Sequence, residues 1–254
     1  TALCTGNGDF FGVIGVPVIT NRPGALFEVR NNASFTHGAA ICRFDNAGTF
    51  RKSLATGTNT FSGAFAFNNY GTVDLRSGIL AANGGYSSSS DAALNSAISG
   101  TIPGANFGQV QVAGSVTLNG ALSVNLVNGF LPTTNDSFAV LIAGTRNGVF
   151  TSFSYPSNAV TMQLSNTAKS VVVLVTAVAA PPPPLLLSPV LFGTNLQLTW
   201  TAVSNLAYRL EFNPDLTPSN WSALPGDVTA LSNTASRLDP LTVSNRFYRV
   251  RVLP

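Results

Sequence analysis

The chain has 254 residues, of which 45% are hydrophobic and only 9% are charged, and its formal net charge is +3. Soluble globular proteins carry roughly 25% charged residues, so this composition excludes a long charged coiled coil and an acidic disordered segment. With two Glu, two Lys and one His, the chain is also poor in the side chains that most enzymes use.

The surplus of Lys and Arg forms no dense basic run, and the nearest approach to one is Arg246, Arg249 and Arg251. Because a nucleic-acid-binding protein normally has a basic stripe, we predict no nucleic-acid partner. The strongly apolar stretch 171–180 is shorter than the roughly 20 residues that a membrane helix needs. We therefore predict no membrane span.

The N-terminal region predicts a secreted protein. The chain begins with Thr1 and its single methionine is Met162, which favours removal of a signal peptide. Cys4 and Cys42 form an even pair in a chain rich in Ser, Thr and Asn, so we expect a disulfide made in an oxidising compartment. Two buried thiols are the alternative. We predict no metal site, since His37 is the sole histidine and no Cys-x-x-Cys motif occurs.

Apolar residues are concentrated between positions 10 and 19. We predict that this stretch is a strand that contacts a neighbouring subunit by strand addition. The alternative is that it forms the first turn of the chain's own core. The candidate contact residues are Phe10, Phe11, Val13, Ile14, Val16, Val18 and Ile19.

A short repeat follows in the middle of the chain. Residues 44–50 match residues 67–73 in type at five of seven positions, at an offset of 23 residues. Alternating apolar strands at such a period, with no convincing helix, predict a β-solenoid (a parallel β-helix) over residues 1–176. A β-sandwich with regular hairpins is the alternative. We expect Asn69 and Gly71 at corners with left-handed backbone angles.

Residues 177–188 predict a linker, because the four prolines at 181–184 favour a stiff polyproline II segment. The sequence after it alternates apolar and polar residues in several short runs. Tyr208, Leu210 and Phe212 share one face of such a run, and Trp200 ends another. We predict a small immunoglobulin or fibronectin-III-like β-sandwich over residues 189–254. The predicted fold class is thus all-β.

Several of these segments resemble a known group. The run from Phe107 to Leu126, the following Gly129-Phe-Leu-Pro and Gly148-Val-Phe segments, and the repeat unit from Phe67 to Leu80 are similar to autotransporter-type β-strand-repeat proteins of bacteria. The segments around Trp200 and Arg246-Phe-Tyr-Arg-Val are similar to their fibronectin-III-like C-terminal module. The resemblance implies a surface-attached or released extracellular protein.

Charged residues are too few to predict catalysis. Between residues 77 and 168 the only charges are Asp91, Asp136 and Arg146, so this span cannot supply the carboxylate pair of a glycoside hydrolase. The earlier charges, among them Glu28, Asp74 and Lys52, are interpreted as a solvated face of the solenoid. We therefore predict no catalytic residues, no cofactor and no enzymatic activity.

These features of the sequence are compatible with two functions. The first is an extracellular structural protein, a subunit of a self-assembling filament or adhesive matrix that contacts copies of itself head to tail through open β-edges. A cell surface or a polysaccharide is a further expected partner. The alternative is a carbohydrate-binding or adhesion module of a secreted polysaccharide-processing system. Its candidate exposed aromatic residues are Trp221 and Tyr155.

Overall fold

A computed structural model describes residues 1–12, 15–38, 41–215, 221–240 and 245–253. The chain divides into two compact units, Thr1–Ala179 and Ala180–Pro254, which are described separately. The fold is all-β: the described residues form 26 strands and no helix, and hence no helix that could span a membrane. The prediction of an all-β chain is confirmed.

The first unit contains 19 short strands. They are β1 (Ala2–Cys4), β2 (Phe10–Gly12), β3 (Val18–Asn21), β4 (Leu26–Val29), β5 (Phe35–His37), β6 (Cys42–Asn46), β7 (Thr49–Lys52), β8 (Thr58–Phe61), β9 (Phe65–Asn69), β10 (Thr72–Leu75), β11 (Ile79–Ala82), β12 (Tyr86–Ser88), β13 (Ala93–Ile98), β14 (Gln109–Leu118), β15 (Ala121–Leu126), β16 (Ser137–Gly148), β17 (Ser152–Ser154), β18 (Val160–Asn166) and β19 (Ser170–Val178).

These strands pair in three parallel ladders. Ladder 1 has the order β1-β4-β7-β10-β13-β15-β17, ladder 2 runs from β2 through β5, β8 and β11, and ladder 3 runs from β3 through β6, β9 and β12. Ladders 2 and 3 meet at the long strand β14, which pairs with β11 through its first half and with β12 through its second half. The chain visits ladders 1, 2 and 3 in turn, and we call each such passage a circuit.

The register of the ladders explains the sequence repeat. Phe44 pairs with Phe67 and Phe50 pairs with Val73, so the repeated residues lie directly above one another in adjacent circuits. Inward-facing apolar side chains of all three ladders form one hydrophobic cluster. No single circuit can bury these side chains on both sides, so each circuit depends on its neighbours for stability.

The last strands change direction. β16 continues ladders 2 and 3 by pairing parallel to β14. On its other edge, the first half of β16 pairs antiparallel with β19, and β19 in turn pairs antiparallel with β18. The N–H groups of Ala143 and Arg146 donate to the carbonyls of Lys169 and Ala168. The β18–β19 hairpin thus covers the free edge of β16, and a cap of this kind was not predicted from the sequence.

Glycine at the corner after ladder 3 is required by close stacking. A Cβ on Gly71 would lie 2.2 Å from the carbonyl oxygen of Gly48, and one on Gly48 would lie 2.4 Å from that of Ala25. Neither Asn69 nor Gly71 has a positive φ, so the expected left-handed angles are wrong. Asn69 instead ends β9 with its side chain buried.

This corner supplies a stability prediction. Gly71→Ala forces a methyl group into the backbone of the preceding circuit, and overpacking of this kind destabilises proteins by about 1–3 kcal/mol. The free energy of unfolding of the first unit should fall by about that amount in chemical denaturation. Gly63→Ala is the control, because a Cβ there meets no atom within 4 Å, and an equal loss in both variants would contradict the stacking argument.

The second unit contains two antiparallel sheets. Its strands are β20 (Val190–Phe192), β21 (Asn195–Thr201), β22 (Ala207–Asn213), β23 (Ser222–Ala223), β24 (Val228–Thr229), β25 (Thr234–Pro240) and β26 (Phe247–Val252). One sheet has the order β20-β21-β25, and in the other β22 pairs with β23, β24 and β26. Trp200, Tyr208 and Leu210 are fully buried in its core.

The boundary between the units is shorter than the predicted linker 177–188. β19 extends to Val178, and the N–H of Ala179 donates to the carbonyl of Ala159. At the other end, Leu186 bridges to Trp200, and Leu187 N–H donates to the carbonyl of Thr199. Both ends of the predicted linker therefore belong to the β-structure of the unit beside them.

Candidate functional site

The first circuit leaves one end of the parallel ladders open. The N–H of Phe10 donates to the carbonyl of Ser34, and the carbonyl of Gly12 accepts from the N–H of Gly38, so both residues bond to the second circuit. Because successive residues of a strand direct their backbone groups to opposite edges, the N–H and C=O of Phe11 point away from the second circuit. The same alternation applies to Leu3 in β1 and to Thr20 in β3, since Cys4 and Asn21 bond to the second circuit.

The open end is apolar and almost uncharged. Leu3, Phe11, Val16 and Val18 are 50%, 61%, 66% and 41% exposed. Asp9 is the only charged side chain in residues 1–21, and its carboxylate accepts from the N–H of Ser34. Monomeric sheets usually protect such edges with charges or a covering segment, and the described residues of the first unit supply neither at this end.

Two internal stacks also end at the first circuit. The ring of Phe10 stacks on Phe35 with centroids 4.6 Å apart, and Phe35 stacks on Phe61 at 4.1 Å. In ladder 3, the Asn21 amide donates to Asn46 Oδ1 and the Asn46 amide donates to Asn69 Oδ1, both over 2.8 Å. Asn21 Oδ1 accepts no hydrogen bond from any described residue.

The predicted contact stretch 10–19 forms two strands rather than one. β2 ends at Gly12 and β3 begins at Val18, with Gly15 at φ +82° between them. Phe10 and Ile19 pack against the hydrophobic cluster, as in the alternative interpretation, whereas Phe11, Val16 and Val18 are exposed. Val13 and Ile14 lie outside the described residues.

The expected disulfide between Cys4 and Cys42 is wrong. No disulfide joins these residues. Cys42 is the first residue of β6 in ladder 3 and is buried with its sulfur against Gly12, whereas Cys4 ends the first strand of ladder 1. The two cysteines are thus on different ladders, and burial raises the pKa of the Cys4 thiol.

The two candidate exposed aromatic residues, Tyr155 in the first unit and Trp221 in the second, are each half-buried. Tyr155 is half-buried against the hydrophobic cluster, with its ring 5.1 Å from that of Phe153. Trp221 is half-buried in the second unit, and the guanidinium of Arg249 lies over its ring at 4.4 Å. The Arg249 side chain therefore occupies one face that a sugar ring would need.

A buried lysine forms a polar site that was not predicted from the sequence. Lys52 is fully buried, and its ammonium donates to the Asn59 side chain at 2.5 Å and to the carbonyl of Asn31 at 3.2 Å. Asn59 is also fully buried and donates to the carbonyl of Ala33. The position of Lys52 in the register, opposite the inward-facing Val29 and Leu75, was the available signal.

Burial of Lys52 lowers its pKa to about 8, because desolvation disfavours the charged ammonium. The described residues contain no group of three or more His, Cys, Asp or Glu side chains that could hold a metal ion. The first unit thus has two features of chemical interest. One is the buried Lys52 in its interior, and the other is the open strand edge of the first circuit at its end.

Comparisons with known proteins add no name to this geometry. No protein-family model, no curated protein and no solved structure matches the chain. The function must therefore be inferred from the described residues.

Proposed function

We propose that this chain is an extracellular structural protein that assembles with copies of itself through the open first circuit. In this proposal the first unit is a parallel β-helix, and the second unit is a fibronectin-III-like sandwich attached to each subunit. The observation that supports assembly is the row of unpaired backbone groups at Leu3, Phe11 and Thr20, flanked by exposed apolar side chains. Such an edge is a template for another strand.

The partner in this proposal is the opposite end of a second copy. At the far end of the first unit, the β18–β19 hairpin covers the edge of β16. The strand edges that stay open there among the described residues are those of β17 and the outer edge of β18. β1 and β17 are both three-residue strands at opposite ends of ladder 1. A β17 edge from one copy can therefore receive β1 of the next in the same direction, and repetition of this heterologous contact produces a filament.

Electron microscopy of the purified chain tests this proposal. We expect filaments with a constant subunit repeat, because the seven strands of ladder 1 at ~4.8 Å each span about 34 Å. Leu3→Pro should shorten or abolish them, since proline removes the outward N–H of β1 without breaking a bond to the second circuit. Leu3→Val keeps that N–H and should assemble like the parent chain.

Light scattering at high concentration decides between the competing outcomes. A strictly monomeric chain would refute self-assembly. A dimer that grows no further would indicate that two first circuits pair with each other, which contradicts the head-to-tail contact. Equal assembly of Leu3→Pro and Leu3→Val would show that the edge of β1 is not the contact surface.

A further inference from the structure

A polar groove lies along the outer face of ladder 1, on the side of the first unit rather than at its end. Two adjoining cavities, of about 500 Å³ and about 400 Å³, share Arg76 and Asn128 among the residues that line them. Asp74 and Asn95 lie in register on adjacent strands in the second of these cavities. The groove is open and extends across several circuits, so its shape fits a linear chain.

Hydrogen-bonding groups in this groove are unused. The side chains of Asn95, Asn125 and Asn128 make no hydrogen bond to any described residue. The Arg76 side chain is 53% exposed and lines both cavities, and its bond to Asp74 involves Nε, so neither Nη group is engaged by a described residue. Amide and guanidinium groups with free donors recognise hydroxyl and carboxylate oxygens.

The charge of the groove favours an anionic ligand. Its two carboxylates are already engaged: Glu28 with Arg30 and Ser53, and Asp74 with Arg51 and Arg76. The hydrogen bonds from Arg30 and Ser53 lower the pKa of Glu28, so that this group stays ionised. Arg51 lines neither cavity but bonds to Asp74 beside the groove, so the cluster around the groove has three guanidinium groups for two carboxylates and a net charge of +1.

Left-handed backbone angles occur at the same groove. Four residues other than glycine have a positive φ among those described, and two of them, Leu54 at 67° and Asn128 at 56°, line the first cavity. Leu54 is 75% exposed and is the central residue of a tight three-residue turn, in which the N–H of Ala55 donates to the carbonyl of Ser53 over 2.8 Å; with φ positive, a turn of this kind is rare and strained. Residues held in such strained conformations cluster at ligand-binding sites.

We propose that this groove binds an acidic polysaccharide, with the sugar carboxylates on Arg76 and Arg30. The planar guanidinium fork matches a carboxylate in geometry. The amides of Asn95, Asn125 and Asn128 bond to the sugar hydroxyls, and Leu54 contacts an apolar ring face. This site differs from the aromatic platform that the sequence predicted, and it is independent of end-on assembly.

Affinity gel electrophoresis of the full chain tests the site. Polygalacturonate is the acidic probe and dextran is the neutral comparison polymer. The gels contain about 150 mM salt, which screens non-specific electrostatic attraction. We expect retardation by polygalacturonate, and Arg76→Gln should weaken the affinity at least 10-fold. Arg43→Gln is the matched control, because Arg43 also bonds a carboxylate two residues away and is 51% exposed, but on ladder 3. It should bind within 2-fold of the parent chain.

Three results would overturn this proposal. The first is an absence of retardation by polygalacturonate. The second is an equal loss in Arg76→Gln and Arg43→Gln, which would indicate attraction by net charge alone. The third is dextran retardation that Arg76→Gln abolishes, which would place a neutral sugar in the groove.

Discussion

Asn46→Ala should destabilise the first unit by about 3–5 kcal/mol, the largest single effect that we expect in this chain. Asn46 is fully buried, and its amide donates to Asn69 Oδ1 and to the carbonyl of Thr72 while its oxygen accepts from Asn21. Truncation leaves several buried groups without a partner, and each such group costs about 1–3 kcal/mol.

Asn68→Ala is the matched control in the adjacent circuit. Asn68 precedes Asn69 in β9, but its side chain faces outward, where its amide donates to Asp45 and its oxygen accepts from Ser87, both at partly buried sites. We expect a loss below about 1 kcal/mol there, because water can replace the lost bond. Calorimetry should show a midpoint lowered by about 10 °C in Asn46→Ala and by only a few degrees in Asn68→Ala. Similar shifts in both would mean that the buried asparagine stack contributes little.

The free energy of unfolding should rise with pH between about 8 and 10.5 because of Lys52. The pKa of Lys52 is about 8 in the folded protein, whereas its ordinary value of 10.5 applies in the unfolded chain. Between these two values the unfolded chain binds more protons than the folded protein, so stability increases as the pH rises. The full contribution of a shift of this size is about 3 kcal/mol. Above about pH 10 the buried Tyr86, whose pKa is raised, opposes this trend.

Lys52→Met isolates this contribution. The variant has no ammonium, so the rise in the free energy of unfolding between pH 8 and pH 9.5 should disappear. Its stability at any one pH also changes, because Asn59 and Asn31 lose their donor, and the test therefore rests on the slope alone. Lys169→Met, at an exposed position between β18 and β19, should retain the rise. Denaturant titrations at several pH values measure both slopes. A parent chain with a flat profile over this window would refute a depressed pKa at Lys52.

The sequence predicted the stacking because the same residues recur where circuits pair. Phe44 and Phe67 are separated by the repeat offset and are also register partners. The interior roles of Asn46 and Asn69 were missed, because asparagine near a glycine normally indicates a turn. Only the register shows that these amides point inward and bond to one another.

Two other features depend on contacts between distant residues and could not be predicted from local pattern. The β18–β19 hairpin and the long strand β16 have ordinary alternating sequences, and nothing in them indicates antiparallel pairing onto a parallel sheet. The groove is formed by side chains from circuits far apart in sequence, among them Glu28, Arg76 and Asn128. The charge of Glu28 was interpreted as part of a solvated face, since composition alone cannot show which residues converge with it.

The shared register has a consequence for how such a chain changes length. Residues 46 and 69 occupy equivalent places in neighbouring layers, and so do residues 50 and 73. Duplication of the intervening 23-residue segment would insert one more layer whose upper and lower surfaces already match their new neighbours. The gene could therefore lengthen or shorten this unit in whole layers, while the hairpin at its far end stays unchanged.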